Sequence, residues 1–271
     1  REAALLVEDG VTVSLGHFVS EEDAIDSQTF APTEHWMTSV DPNTGQPRAA
    51  LDAMSFSLHD GQLAHMDALC HYATQRDGEA IIFNGYPQNL NSDGCSGNLS
   101  VEDMGPGYVT RGILVDIPLL RGVAWLEPST PIYVSDLQEW EAFAGVTIRS
   151  GDVLLVRGGR WARRVAEGPW LYGRGGAGLH ASVLPWLKER GVSLLVSDAV
   201  NDVQPSGVEG INRPVHTMTQ VFIGLPLVDN GYLEDVAREA ARRERWEFMV
   251  SWQITAVPDG TASPFNAIAT F

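Results

Sequence analysis

Three of the chain's seven histidines fall with Asp67 inside thirteen residues, in the run His59-Asp60-Gly61-Gln62-Leu63-Ala64-His65-Met66-Asp67-Ala68-Leu69-Cys70-His71. His59, His65, Asp67 and His71 all sit at odd positions. Side chains alternate between the faces of a strand, so the four can share one side, with His65 and Asp67 the surest pair. Imidazole and carboxylate together are the ligand set of a catalytic divalent metal. A lone core histidine is usually a hydrogen-bonded structural residue; three with an aspartate at this spacing point to a metal site. Further ligands must come from elsewhere in the chain. His216, in Arg213-Pro214-Val215-His216, is one candidate. Asp229, in Leu227-Val228-Asp229-Asn230, is another, although alone it reads as the N-cap of the helix after it.

At 271 residues and 44% hydrophobic content the chain has material for a sizeable core. No apolar run approaches the roughly 20 residues of a membrane helix. The formal net charge of −17 makes the dominant affinity term for nucleic acid or an anionic membrane repulsive, so neither is an expected partner. There are two cysteines, Cys70 and Cys95. A disulfide framework is not expected at this length, and Cys70 reads as a buried, inert thiol. Two thiols and the lack of a basic-then-apolar leader make a cytoplasmic location the expectation.

Residues 1–50 read as a loop-rich N-terminal segment. Buried strands are expected at 108–117, 152–157 and 193–197, and a long strand at 246–257. Helices are expected at 135–143, with Ser135 as N-cap and Gln138 completing a capping box, at 180–190 and at 232–245. Strands alternate with few helices and no linker divides the chain. A single mixed α/β domain is the expectation.

Residues 173–178 spell G-x-G-x-x-G, with Asp198 twenty residues on. That is a dinucleotide fingerprint on paper and keeps an NAD(P)-dependent dehydrogenase as a remote alternative. No buried strand precedes it, so a flexible loop near a pocket is the better reading. Arg157, Arg160, Arg163 and Arg164 form a basic cluster expected to make surface ion pairs, one of which could instead hold a substrate carboxylate. Trp161, Trp170 and Trp186 suit either a pocket lining or a core. Asp198 and Asp202 fit supporting polar roles beside a site, and His180 could face it. No G-x-S-x-G elbow supports a serine nucleophile.

The core Ala64-His65-Met66-Asp67-Ala68-Leu69-Cys70-His71 resembles the signature of the Putative cyclase family, which includes bacterial kynurenine formamidases and isatin hydrolases. The HMDALCH string with Phe83-Asn84-Gly85 after it resembles the longer bacterial branch. TRGILVD at 110–116, GDVLLVR at 151–157, Ser197-Asp198 with Asn201-Asp202, Pro214-Val215-His216 before Asp229-Asn230, and TASPFN at 261–266 follow in the family's order. The resemblance spans roughly residues 51–271 and implies a swivelling β/β/α-type single domain with a mixed sheet. It implies His65, Asp67, His216 and Asp229 as ligands of Zn²⁺ or Mn²⁺, and His71 as the acid/base residue. The family's first ligand usually stands where this chain has Gly61. His59 resembles the ligand of a branch with longer spacing, which would need a bulge or tight bend at 60–63. Ala64 stands in place of the usual Thr, and Asp229 in place of the usual Glu.

Such a site suits metal-assisted hydrolysis of a small cyclic or aromatic amide, lactam, lactone or ester. Relatives are usually oligomers, so a homodimer or higher homo-oligomer is expected. A biosynthetic cyclase or dehydratase using the same site, and a non-catalytic metal- or ligand-binding homologue, remain as alternatives.

Overall fold

The apolar runs of the sequence become the centre of a nine-stranded mixed sheet in a computed structural model of the chain, which describes residues 2–27, 33–39, 49–91, 94–95 and 97–271. In chain order the strands are β1 (Thr12–Ser14), β2 (His65–Asp67), β3 (Gly107–Asp116), β4 (Val153–Arg157), β5 (Leu194–Ser197), β6 (Leu227–Asp229), β7 (Glu247–Gln253), β8 (Ala262–Pro264) and β9 (Ile268–Thr270). Across the sheet they run β1-β9-β7-β3-β4-β5-β6-β2-β8. Strands β3, β4, β5 and β6 are parallel; the remaining pairings are antiparallel.

A parallel block is covered on both faces, so its strands lack polar alternation. Leu114, Val153, Leu155, Leu194 and Val196 enter one core, while Ile113, Val115, Leu154, Val156 and Leu195 enter the other. Helices complete the layers: α1 (Ile117–Arg121), α2 (Val134–Ala144), α3 (Arg160–Glu167), α4 (Tyr172–Gly175), α5 (Leu184–Arg190), α6 (Pro214–Thr217) and α7 (Glu234–Arg243). Leu137 and Trp140 of α2 and Trp186 and Leu187 of α5 cover the second core; Val236, Ala237 and Ala240 of α7 cover the first. A fully buried Val, Leu or Ile side chain contributes about 1.5–3 kcal/mol.

Several sequence expectations shift. Helix α2 begins one residue earlier than expected, and its N-terminus is held by Asp136 Oδ2 accepting the Tyr133 N–H, not by Ser135 and Gln138. The helix expected over 180–190 is a 3₁₀ turn at Ala181–Val183 running into α5, with His180 Nδ1 accepting the Ser182 N–H at its start. Strand β7 is shorter than 246–257.

The larger correction concerns the cysteines, which are bonded to each other rather than free. Cys70 leaves β2 and donates its N–H to Leu99 O; Cys95 lies in a small hairpin of Leu90–Asn91 with Gly94–Cys95. That hairpin brings the two Cα atoms to 6.2 Å, within bridging distance. Long-range packing of this kind is invisible in a 25-residue spacing. Disulfides persist in oxidising compartments, so the cysteines lend no support to a reducing one.

Candidate metal centre

The parallel block points its carboxyl ends at one side of the sheet, where ligand sites of open α/β sheets form. Asp229 ends β6. Strand β2 runs antiparallel beside it, so His65 pairs with Asp229 and Asp67 with Leu227, while Pro264 and Ala262 of β8 flank the other edge. His65 and Asp67 are thereby fixed on one face by strand parity. His59 and His71 are not on that strand. A turn at 58–62, with Asp60 N–H donating to Ser57 O and Leu63 N–H to Asp60 O, carries His59 back over it. A second turn, closed by His71 N–H to Ala68 O, brings His71 round.

The bend demands Gly61 for space, not for an unusual dihedral. A Cβ there would stand 1.8 Å from the Asp26 carbonyl oxygen. The Gly61 carbonyl accepts from Arg160 Nη2 at 2.6 Å and from the Tyr172 hydroxyl at 3.1 Å. No side chain, and so no ligand, fits at that position.

Asp67 sits at the centre. His59 Nδ1 is 3.3 Å and His65 Nε2 3.6 Å from its Oδ1; His71 Nε2 and His216 Nε2 are each 3.8 Å from its Oδ2. His216 Nε2 is also 3.2 Å from Asp229 Oδ2. One ligand atom each from His59, Asp67 and His71 lie within 4.8 Å of one another. The rings of His59 and His71 stack at 4.0 Å.

Outer partners orient these groups. The Asp202 carboxylate accepts the N–H groups of Val215 and His216 and binds His216 Nδ1, leaving Nε2 to face the cluster. His65 Nδ1 does the same against Leu63 O at 2.8 Å. Asn201 donates through its backbone and side chain to Asp229 Oδ1, at 3.1 and 2.7 Å, so Asp229 is held in the cluster and does not cap α7, which begins at Glu234. Gln220 Nε2 donates to Asp67 Oδ2 at 3.0 Å, and His59 Nε2 lies 3.0 Å from Thr261 Oγ1. Asn201 and Thr261 stood inside motifs of the sequence without an assigned role; Gln220, on the π-type turn Met218–Ile223, carried no signal at all.

Burial would raise the Asp67 pKa, but the imidazoles of His71, His59, His65 and His216 hold it well below the ordinary carboxylate range. Burial likewise works against Asp229, and His216 outweighs it and lowers the pKa. Burial favours neutral His216, yet Asp229 and Asp202 raise it well above the usual imidazole value. Burial pushes His71 down to about 4.

A cavity of about 500 Å³ opens over the cluster, with Ile25, Leu171 and Val200 among its apolar walls. The glycine-rich segment is not a strand–turn–helix nucleotide loop. It forms α4 and a short strand, Gly178–Leu179, and Gly173 and Arg174 line the cavity mouth. His180 lies apart, beside Tyr133 and Ser182. Trp161 and Trp186 are buried, Trp186 in the core around α5. The expectation of surface ion pairs for the arginine cluster fails for two of its members. Arg157 is buried between Asp116 and Glu234, and Arg160 between Asp26 and Asn230. They brace the sheet ends and the bend at Gly61. Asp198 accepts the N–H groups of Gly158, Gly159 and Arg160 at the start of α3.

Comparison with known proteins agrees with this architecture. A solved structure described as a novel cyclase is 23% identical, with a TM-score of 0.84 over 100% of this chain and 90% of that one. Isatin hydrolase A from Ralstonia solanacearum is 20% identical, with a TM-score of 0.67 over 96% of this chain and 91% of its own. Isatin hydrolase A from Labrenzia aggregata, bound to benzyl benzoate, is 16% identical, with a TM-score of 0.68 over 98% and 94%. No curated protein matches the sequence. The signature described as Putative cyclase matches residues 13–201, more than half of the chain and all of the histidine run, and the chain belongs to that family.

Proposed function

We propose that the chain is a metal-dependent hydrolase that cleaves a C–N or C–O acyl bond in a small cyclic or aromatic amide, lactam, lactone or ester. The observation that carries this reading is the Asp67 Oδ1 atom. It is buried and accepts no hydrogen bond among the described residues, although imidazole nitrogens surround it. A buried carboxylate oxygen without a donor is costly unless a cation takes that place. Imidazole nitrogen with carboxylate oxygen suits Zn²⁺ or Mn²⁺, held by His59, His65, Asp67, His216 and Asp229. When bound, such an ion polarises a carbonyl and lowers the pKa of water to about 7.

The chain's own groups supply the rest. Asp202 and the Leu63 carbonyl fix the ring orientations of His216 and His65. Asn201 and Gln220 each occupy one carboxylate oxygen of Asp229 and Asp67 and leave the other for the site. His71 borders the cavity and takes the proton of the attacking water, then returns it to the leaving nitrogen or oxygen. Acid/base help of this kind is worth about 10²–10⁴-fold.

His71→Ala tests the assignment: turnover should vanish while metal content, measured by elemental analysis, stays at the wild-type level. The close grouping of His59, Asp67 and His71 favours a second reading in which His71 is itself a ligand. Parallel loss of metal in that variant selects it. Asp67→Ala should empty the site, and full occupancy there would contradict the proposal.

A further inference from the structure

Arg174 and Arg213 both line the cavity, and neither forms an ion pair among the described residues. Every other described arginine has a carboxylate oxygen within 4.0 Å, including the four clustered at 157–164. In a chain with a net charge of −17, internal partners are abundant. Two guanidinium groups left without one, on the same pocket, are therefore not a matter of supply. Asp67 and Asp229, which line the same cavity, form no ion pair with either arginine and take their hydrogen bonds from Gln220, Asn201 and His216.

Position adds to this. Arg213 precedes α6, and its carbonyl accepts from the Thr217 N–H and hydroxyl at 3.0 and 2.9 Å, so its backbone is tied to the turn that presents His216. Its Nη2 lies 3.5 Å from where a Cβ of residue 173 would stand. The guanidinium therefore lies beside residue 173, and Arg174 follows on the same segment. A guanidinium is a fork of donors matched to a carboxylate.

We infer that Arg174 and Arg213 form an anion-recognising rim, and that the substrate carries a carboxylate on a small body whose apolar part rests on Ile25, Leu171 and Val200. The inference rests on reading the cavity as the hydrolytic site, and it makes these two arginines specificity residues for that reaction.

The test uses the metal-loaded full chain with two probe pairs. Calorimetric titration compares benzoate with benzamide, and turnover compares 2-formamidobenzoate with 2-formamidobenzamide. The wild type should bind benzoate at least about tenfold more tightly than benzamide at low salt, the scale of one charge-assisted hydrogen bond. That preference should shrink at about 1 M salt, where the Debye length is about 3 Å. The double variant Arg174→Gln/Arg213→Gln should lose it with metal content unchanged. Arg174→Gln alone, at an exposed position, keeps the test if the double variant loses its fold. Equal or absent binding of the two probes by the wild type, or an undiminished preference in the variants, overturns the inference. Charge-selective binding without turnover of either formamide leaves the rim standing and removes the hydrolase reading. Turnover without charge preference does the reverse.

Discussion

The two oxygens of Asp67 are treated differently by their surroundings. Oδ2 takes a hydrogen bond from Gln220, while Oδ1 faces His59 and His65 without an aligned donor. The sequence made His65, Asp67 and His71 legible because three side chains of ligand type recur at short spacing. It could not reveal Gln220, 153 residues from Asp67, because amides are common and nothing local marks this one. His17 stacks on Trp161 at 4.3 Å with 7° between the rings. Burial lowers its pKa; the Phe18 carbonyl opposes that, and the charges of Arg160 and Arg164 add to it. A folded-state pKa below the unfolded value of about 6.5 means that folding favours neutral His17. Its contribution to stability is then complete above pH about 6.5 and is lost as pH falls through the lower folded value. NMR titration should find the His17 ring protonating below 6.5, and His17→Gln should flatten the stability profile on that side. A ring titrating at or above 6.5 would remove the argument.

Among the elements, the bend at 58–62 decides the site. Period-two parity put all four residues of the histidine run on one strand; only 65–67 is strand, and two turns supply the other imidazoles. The buried strands of the parallel block were legible because unbroken apolar runs have few alternatives. The bend was legible only as a requirement, since its cause is tertiary: Arg160 and Tyr172 hold the Gly61 carbonyl, and the Asp26 backbone packs against its Cα. Gly61→Ala should therefore force the backbone apart. The expected result is a loss of about 1–3 kcal/mol in chemical denaturation, typical of overpacking, together with reduced metal content. Wild-type stability and full metal occupancy would show that the bend relaxes at no cost.

For the molecule as a whole, the pair Cys70–Cys95 closes a 25-residue loop that follows directly on the site. Chain-entropy arguments put such a closure at about 3–4 kcal/mol. Cys95→Ser should lower the unfolding free energy by roughly that amount and leave one reactive thiol after denaturation, whereas the native wild type should give none. An unchanged denaturation midpoint, or two titratable thiols in the native wild type, would refute the pairing's role. The sequence missed the pair because its logic was that of chain length and compartment, and neither sees a hairpin folded over β2.

The contacts that build the centre join distant stretches: His59 to Thr261 across 202 residues, Asn230 to Asp60 across 170, Arg160 to Asp26 across 134. Loops of that length close slowly, and none can close before its far end exists. On the ribosome, the histidine run must therefore wait, uncommitted, until Thr261 has been made. The layer beside it waits as well, since Phe265, Ala269 and Phe271 belong to the same core as Leu114 and Val153.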